Sequence, residues 1–393
     1  MRVIFKSFQA GVGDCIFFCL KEGDRQYAIM VDCGRFSQAI RDYVEKELNK
    51  RIDLLVVTHI DADHVEGVTA LLNDMPDLDI GEIWFNSYKR ENGGVGTPLS
   101  EKQIECLKRL YGKIPQVIDV LNTKVNAEHA ITLSETILSN PTWEDVWRRA
   151  QIKVGITDYL LCDGAFGKLR IISPTQKALD ALDDDFLELF YEFFYGEHPD
   201  GALEKDTTIY ELLLRVAQER EADEQAKPEQ ISSLTLNGSD IKAFCNNKTT
   251  ALSPENKASI AFVWEYGEHK ILFLGDASPD VVKSSLEGLC GKSALLYDAV
   301  KVSHHGSAHS TSVKLMELVD SPHFFFTGGS GNKRPHIEAI SRIINRPLKN
   351  VAKPCMLHFN FQNEWTKELE SSDLQQQFGY TLDFSSNELK YDI

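Results

Sequence analysis

The chain has 393 residues, of which 42% are hydrophobic and 26% are charged, as is typical of globular proteins. This length predicts either one large domain with insertions or two domains. The formal net charge of −17 opposes non-specific binding to nucleic acid, but it does not exclude a small phosphodiester or a nucleic acid bound at a local basic patch.

The N-terminal residues and the cysteines predict a cytoplasmic protein. Residues 1–6 run directly into a strand pattern and lack the apolar core of a signal peptide. No run approaches the roughly 20 apolar residues that span a bilayer, so we expect no membrane partner. The eight cysteines form no Cys-x-x-Cys pair, and we expect reduced thiols.

The first predicted strands end in polar residues. Strands are predicted at 3–8, 15–20 and 27–31, and the third runs into Asp32. A carboxylate at this position can bind a metal, support a ligand histidine or simply form a turn. An amphipathic helix is predicted at 37–48.

The next stretch carries four side chains that can bind a metal within six positions. It follows the apolar run Leu54–Val57, which predicts a buried strand, and it precedes a predicted helix. Because residues two apart in an extended chain point the same way, His59 and Asp61 are predicted to bind one metal. Asp63 and His64 are then predicted to bind a second. Imidazole and carboxylate are both good ligands of zinc-like ions.

In the middle of the chain the sequence predicts short strands and then a segment with a helical and acidic pattern. Strands are predicted at 83–85, 117–121, 152–156 and 169–172, with a helix at 100–110. From about 176 to 254 the pattern predicts a mostly helical insertion with a flexible acidic stretch. Such a segment can cover an active site or bind a protein partner.

After the insertion the sheet pattern resumes, and polar residues again follow strand ends. Asp276 follows a hairpin strand, as Asp32 does earlier, and His304 and His305 follow a later strand. His336 precedes a helix. The predicted strands are 259–264, 270–274, 299–303 and 324–329, and the predicted helices are 279–289 and 337–344. Open α/β sheets bind their ligands at such strand ends.

These motifs resemble the metallo-β-lactamase fold superfamily of hydrolases. The usual family motif is His-x-His-x-Asp-His, and here His59-x-Asp61-x-Asp63-His64 carries aspartate in place of the middle histidine. The resemblance implies an α/β fold, an αββα sandwich of two similar halves, with a dinuclear metal site at the sheet edge. It implies a hydrolase domain over residues 1–350 with the insertion at 176–254. Residues 351–393 are then a strand-rich C-terminal extension packed on this domain.

The resemblance also implies a ligand set. Asp276 matches the bridging aspartate, and His304 matches the histidine after the last core strand. Asp32 matches an aspartate that supports the site, while Asn256 and Ser259 either brace the site or cap a loop. The expected metal ligands are His59, Asp61, Asp63, His64, Asp276 and His304.

A narrower resemblance is to the hydrolase domains of ComEC-type DNA-uptake proteins, which also occur as free-standing soluble forms. It is carried by Gly11-x-Gly13-Asp14, Asp32-x-Gly34, Asn256-x-x-Ser259, Gly275-Asp276, His304-His305-Gly306-Ser307, Ser310-Thr311-Ser312 and Pro335-His336. Three features differ. Gln9 replaces a usual aspartate, no channel is attached, and neither His129 nor His198 matches the third family motif. Without that third-motif histidine, the first metal site is expected to be weaker or to hold manganese.

The expected function is a phosphodiesterase or nuclease that uses a hydroxide activated by two divalent ions, zinc or manganese. Asp63, His305 and His336 are the predicted catalytic residues, and the last two are candidates for substrate contact or leaving-group protonation. One alternative is a hydrolase of a lactone, thioester or amide. Another is a non-catalytic or weakly catalytic component of a multi-protein system, such as a defence system.

Overall fold

The computed structural model describes residues 1–87, 132–148, 150–182, 211, 236–247, 252–290, 295–329, 334–347, 354–384 and 387–393. The elements predicted at 100–110 and 117–121, most of the insertion, and His129 and His198 lie outside these residues. Two large sheets pack face to face, and helices cover the outer face of each. This arrangement confirms the predicted α/β sandwich.

The first sheet has six strands, of which three are parallel. In spatial order they are β18 (Glu388–Asp392), β1 (Arg2–Ser7), β2 (Ile16–Glu22), β3 (Arg25–Val31), β5 (Leu54–Val57) and β7 (Ile83–Phe85). β4 (Arg51–Ile52) pairs with β6 (Asp79–Ile80) beside it. The helices of this half are α1 (Gln38–Lys46), α2 (Ala62–Asp74), α3 (Leu133–Leu138) and α4 (Pro141–Val146).

The second sheet has eight strands. In spatial order they are β17 (Tyr380–Asp383), β16 (Cys355–Phe359), β15 (His323–Phe326), β13 (Ala299–Lys301), β11 (His269–Phe273), β10 (Ala261–Tyr266), β9 (Lys168–Ser173) and β8 (Tyr159–Leu160). The strands from β11 to β17 are parallel, whereas β8 to β11 pair antiparallel. β12 (Leu295–Leu296) pairs with β14 (Val319–Asp320).

The helices of the second half lie in the segments between its strands and beyond β16. They are α5 (Gly238–Phe244), α6 (Pro254–Lys257), α7 (Pro279–Cys290), α8 (Val313–Met316), α9 (Ile337–Ile344), α10 (Glu364–Glu368) and α11 (Ser372–Phe378). Among the described residues, none of the helices has the length and apolar character that a bilayer crossing requires.

The core between the sheets follows from the two-residue period of the strands. In β1, Phe5 faces the second sheet, whereas its neighbour Ile4 faces the helices. Phe18 of β2 packs edge to face on Trp264 of β10, with ring centroids 5.1 Å apart. It also lies 5.4 Å from Phe273 of β11. These aromatic contacts fix how the two sheets lie against each other.

Between β7 and β9 the structure differs from the sequence prediction. The strand predicted at 152–156 is wrong. The side-chain amide of Asn86 hydrogen-bonds both the backbone N–H and the carbonyl oxygen of Ile152, and the chain turns at Gly155. Near the C-terminus, β16 and β17 extend the second sheet, and β18 extends the first beside β1. The final residues are therefore part of both sheets.

Truncation of Phe18 tests the interface between the sheets. We expect Phe18→Ala to lower the free energy of unfolding by about 3–5 kcal/mol, because the fully buried ring leaves a cavity. The control Leu296→Ala removes a side chain that is 50% exposed and should change stability by less than about 0.5 kcal/mol. Urea unfolding followed by fluorescence measures both, and equal effects would contradict the assignment of this interface.

Candidate metal centre

Strand ends from both sheets bring the predicted site residues to one edge. Asp32 follows β3, and His59 follows β5 in the first sheet. Asp276 follows β11, and His305 follows β13 in the second sheet. Because the strands before each of these residues are parallel within their sheet, their carboxyl ends lie at the same edge.

Four imidazole nitrogens surround one carboxylate oxygen. Asp276 Oδ2 lies 3.5 Å from His64 Nε2, 3.6 Å from His304 Nε2, 3.7 Å from His305 Nε2 and 3.9 Å from His59 Nε2. The Asp276 side chain is almost completely buried. Residues that are far apart in the sequence therefore meet around a single acceptor atom.

Two further carboxylates complete the cluster. Asp61 Oδ2 lies 3.3 Å from His59 Nε2, and Asp63 Oδ2 lies 3.3 Å from His305 Nε2. Asp63 Oδ1 also lies 3.8 Å from His64 Nε2. Among the described residues, three sets of possible ligand atoms lie within 4.8 Å of one another: His59, His64 and Asp276; Asp63, His64 and His305; and Asp14, Asp32 and His64.

The donor set fits a divalent cation. The Nε2 atoms of His59, His64 and His305 are buried and have no hydrogen-bond partner within the described part of the chain. An unpartnered buried polar atom costs about 1–3 kcal/mol, and here three of them converge on carboxylates. Neutral imidazole and carboxylate are ligands that suit zinc and manganese.

Asp32 holds His64 in the orientation that such binding needs. Asp32 Oδ2 lies 2.8 Å from His64 Nδ1, and Oδ1 accepts from the Thr58 backbone N–H at 2.7 Å. A hydrogen on Nδ1 leaves the Nε2 lone pair facing the cluster. Burial lowers the pKa of His64, but the carboxylates of Asp276, Asp32 and Asp63 outweigh this effect and raise it well above its usual value.

The tandem histidines divide their contacts in a way that the sequence did not predict. Both residues have left-handed backbone angles, with φ of 51° at His304 and 53° at His305. The turn brings His305 against Asp63, while His305 Nδ1 lies 3.0 Å from the Thr327 carbonyl oxygen. His304 Nδ1 lies 3.3 Å from Ser310 Oγ. His305 was expected in a catalytic role and His304 as a metal ligand. In the structure, His305 has closer contact than His304 with the loop from His59 to His64.

The remaining predicted residues lie near the cluster in different roles. Ser259 Oγ accepts from the Asp276 backbone N–H at 3.0 Å and thus braces it. Asn256 donates to Ser253 Oγ at 2.8 Å at the start of α6, which is a capping contact. His336 Nδ1 accepts from the Ala308 backbone N–H at 3.1 Å and so holds the loop after the tandem histidines.

Sequence reasoning missed a buried lysine and gave its partner no role. Lys301 Nζ pairs with Asp14, lies 3.6 Å from Asp276 Oδ1 and donates to the Gly275 carbonyl oxygen at 2.8 Å. Burial lowers the pKa of Lys301, but Asp14 and Asp276 raise it above its usual value, so the side chain is charged. The one signal in the sequence was a lysine inside the apolar run of residues 299–302.

The glycine motif before Asp14 has a steric reason. A Cβ atom on Gly13 would lie 1.5 Å from the Asp63 carbonyl oxygen, so any side chain there would displace the loop from His59 to His64. Gly34 approaches the same oxygen, and a Cβ atom there would lie 2.3 Å away. The Gly11-x-Gly13-Asp14 motif therefore packs directly on the site.

Arg342 of α9 links the site loop to the end of the inserted segment. Its Nη1 donates to Ala308 O at 2.6 Å and to Thr311 O at 2.9 Å, both in the loop after the tandem histidines. Its other nitrogens donate to Cys245 O at 3.2 Å and Asn247 O at 2.7 Å. The guanidinium thus joins two segments by their backbone carbonyls.

Comparison with known families agrees with this geometry. Residues 10–75 match the sequence model of the metallo-beta-lactamase superfamily, and this stretch contains Asp14, Asp32 and the loop from His59 to His64. The likeness to this superfamily is thus found within the first half of the α/β sandwich. The match covers less than half of the chain and does not separate the ComEC-type subgroup from others.

Solved structures resemble the chain only distantly. The metallo-beta-lactamase fold protein YhfI from Bacillus subtilis is 8% identical over 100% of both chains, with a TM-score of 0.35. Zn(2+)-bound PqqB from Methylobacterium extorquens is 11% identical over 100% of both chains, with a TM-score of 0.36. Likeness this low carries no information about activity. No curated protein matches the sequence.

The contact between Asp32 and His64 predicts a loss of metal affinity on substitution. We expect Asp32→Asn to weaken Zn²⁺ binding by about 10–100-fold, because the amide no longer fixes the His64 tautomer. Asp53→Asn is the matched control, since Asp53 accepts the Ala28 backbone N–H at 2.8 Å at the other end of the sheet. Competition with a chromophoric chelator measures both variants. Wild-type affinity in Asp32→Asn would contradict the role given to Asp32.

Proposed function

We propose that the protein is a metal-dependent hydrolase and that its substrate is a phosphodiester. The observation that carries the first part is the convergence of His59, His64, His304 and His305 on Asp276 Oδ2, with Asp61 and Asp63 beside them. Four imidazoles around one carboxylate, three of them buried, have no ordinary structural purpose, because apolar side chains would fill the same space at less cost.

The proposed cofactor is a pair of divalent ions, zinc or manganese. His59 and Asp61 would hold one ion and Asp63, His64 and His305 the other, with Asp276 shared between them. When bound, such ions supply Lewis acidity to water and to the scissile group. The His304 side chain is 11% exposed and thus more open than the other three, so it would complete either ion's ligands or contact substrate.

Two features favour a phosphodiester over a neutral ester. Asp61 stands where the related motif has histidine, and carboxylate-rich ligand sets suit the ions used in phosphoryl transfer. The positive charge of Arg334 also lies close to the site. Burial is the main cause of the lowered pKa of His304 and His309, and this charge lowers both further. A local cation beside an acidic ligand cluster favours an anionic substrate group.

The resemblance to ComEC-type domains extends this proposal to nucleases, with nucleic acid bound locally because the net charge of −17 opposes broad binding. We also propose a cytoplasmic setting, since the six described free cysteines suit a reducing compartment. The inserted segment is the proposed contact for any protein partner.

Substitution of Asp276 tests the hydrolase proposal. We expect the wild-type protein with Mn²⁺ or Zn²⁺ to hydrolyse bis-p-nitrophenyl phosphate. Asp276→Asn should lose at least the ~10–100-fold that removal of an outer-shell residue costs. Asp298→Asn is the control, because Asp298 accepts the Lys270 backbone N–H at 2.8 Å away from the cluster. Equal hydrolysis rates in the two variants would contradict the hydrolase proposal.

A substrate panel separates the alternatives. Lactone, thioester and amide substrates are assayed beside mono- and dinucleotide phosphodiesters under the same metal conditions. Turnover of only the former class would replace the phosphodiester with an acyl substrate. Bound metal with no turnover of any substrate would favour a non-catalytic component of a larger system.

A further inference from the structure

Lys301 lies in the interior next to the cluster, where a charged side chain is costly unless it is fully paired. Its side chain is 1% exposed. Three acceptors surround Nζ: an oxygen of Asp14, Oδ1 of Asp276 at 3.6 Å and the Gly275 carbonyl oxygen at 2.8 Å. The Gly275 contact is a hydrogen bond, whereas the 3.6 Å between Nζ and Asp276 Oδ1 is an ion-pair distance, too long for a hydrogen bond.

The two oxygens of Asp276 therefore face different partners. Oδ1 faces Lys301, while Oδ2 faces the four histidines. A carboxylate with both oxygens free can chelate one ion through both or rotate between ions. The contact with the ammonium disfavours both arrangements, because either would take one of two carboxylates away from a buried positive charge.

Asp14 connects the same lysine to a second member of the cluster. One Asp14 oxygen pairs with Lys301, and the other lies 3.1 Å from His305 Nδ1. Thr327 O also lies 3.0 Å from this nitrogen, so Nδ1 faces two acceptors and is the protonated nitrogen. The ring is thereby held with Nε2 towards Asp63 and Asp276.

We propose that Lys301 is a positioning residue of the metal centre, which restricts Asp276 to ligation through Oδ2 and is itself held by the Asp14 that orients His305. The inference rests on the proposed metal site but not on the proposed phosphodiester substrate. Lys301 is not expected to touch substrate, because its side chain is only 1% exposed.

The test uses the full chain loaded with Co²⁺, whose visible absorption reports ligand number and geometry. The variants are Lys301→Met, Asp14→Asn and the double variant D14N/K301M. Each single variant removes one member of the buried Asp14–Lys301 ion pair, and we expect lower stability as well as a changed spectrum. The double variant leaves neither charge unpaired, so its stability should recover relative to the less stable single variant.

The double variant separates positioning from mere stabilisation. We expect it to keep an altered Co²⁺ spectrum and at least tenfold weaker Co²⁺ binding, although it is folded. The matched control is D320N/R346M, because Asp320 and Arg346 form a buried ion pair at 2.8 Å that lies outside the cluster. This control should change the urea midpoint and leave the wild-type spectrum intact.

The outcomes separate the two proposals. If the double variant has the wild-type spectrum and affinity, the Asp14–Lys301 ion pair has only a structural role. This result would overturn the inference, while the hydrolase proposal would stand. Wild-type protein that binds Co²⁺ with the predicted variant pattern but hydrolyses nothing would overturn only the proposed function. Wild-type protein that binds no Co²⁺ would overturn both. If the single variants do not fold, the double variant still decides the question.

Discussion

The site depends on one constraint: Asp276 Oδ2 must receive side chains from both sheets at the same time. The first sheet supplies His59 and His64, and the second supplies Asp276 and the tandem histidines. A direct backbone hydrogen bond joins the two edges, from the Ile260 N–H to Thr58 O at 2.8 Å. Together with the aromatic contacts of Phe18, it limits how far one sheet can shift against the other. A shift of one sheet against the other would therefore also separate the residues of the cluster.

The buried carboxylates near this edge each have a fixed partner. Asp32 is bound by Thr58 and His64, Asp14 by Lys301 and His305, and Asp276 by Lys301 and the histidines. These contacts hold the donors before any ligand arrives, so less conformational entropy is lost on binding. Glycines at positions such as Gly13 remove the steric barrier to this close packing.

Much of the fold and part of the site could be predicted from the sequence, for identifiable reasons. The strand at Leu54–Val57 and the helix at Ile337–Ile344 have strong apolar patterns and are found as predicted. Polar residues at strand ends indicated Asp32 and Asp276, because chain order and sheet geometry bring such ends together.

Features that depend on long-range packing could not be predicted. The sequence alone predicts an ordinary strand lysine at Lys301. Only its position between the two halves of the folded structure shows that it is buried and paired. The division of contacts between His304 and His305 depends on left-handed backbone angles that the residue types do not reveal. The false strand at 152–156 arose because apolar residues also fill the core from a turn. For Lys301 and for Ile152 the deciding partner, Asp14 or Asn86, lies far away in the chain.

The position of the insertion has a consequence for how this architecture diversifies. The segment leaves after β9 and returns before β10, and these strands are antiparallel neighbours, with Ser173 opposite Ala261. It therefore stands where a hairpin turn would otherwise be. Closing a longer loop costs only about 0.6 kcal/mol for each doubling of its length. Chains of very different size can be grafted at this junction without changing the register of the sheet, while Arg342 ties the returning end to the loop of the tandem histidines. New recognition elements can thus be acquired while the sheet edge that carries the histidine and aspartate cluster stays unchanged.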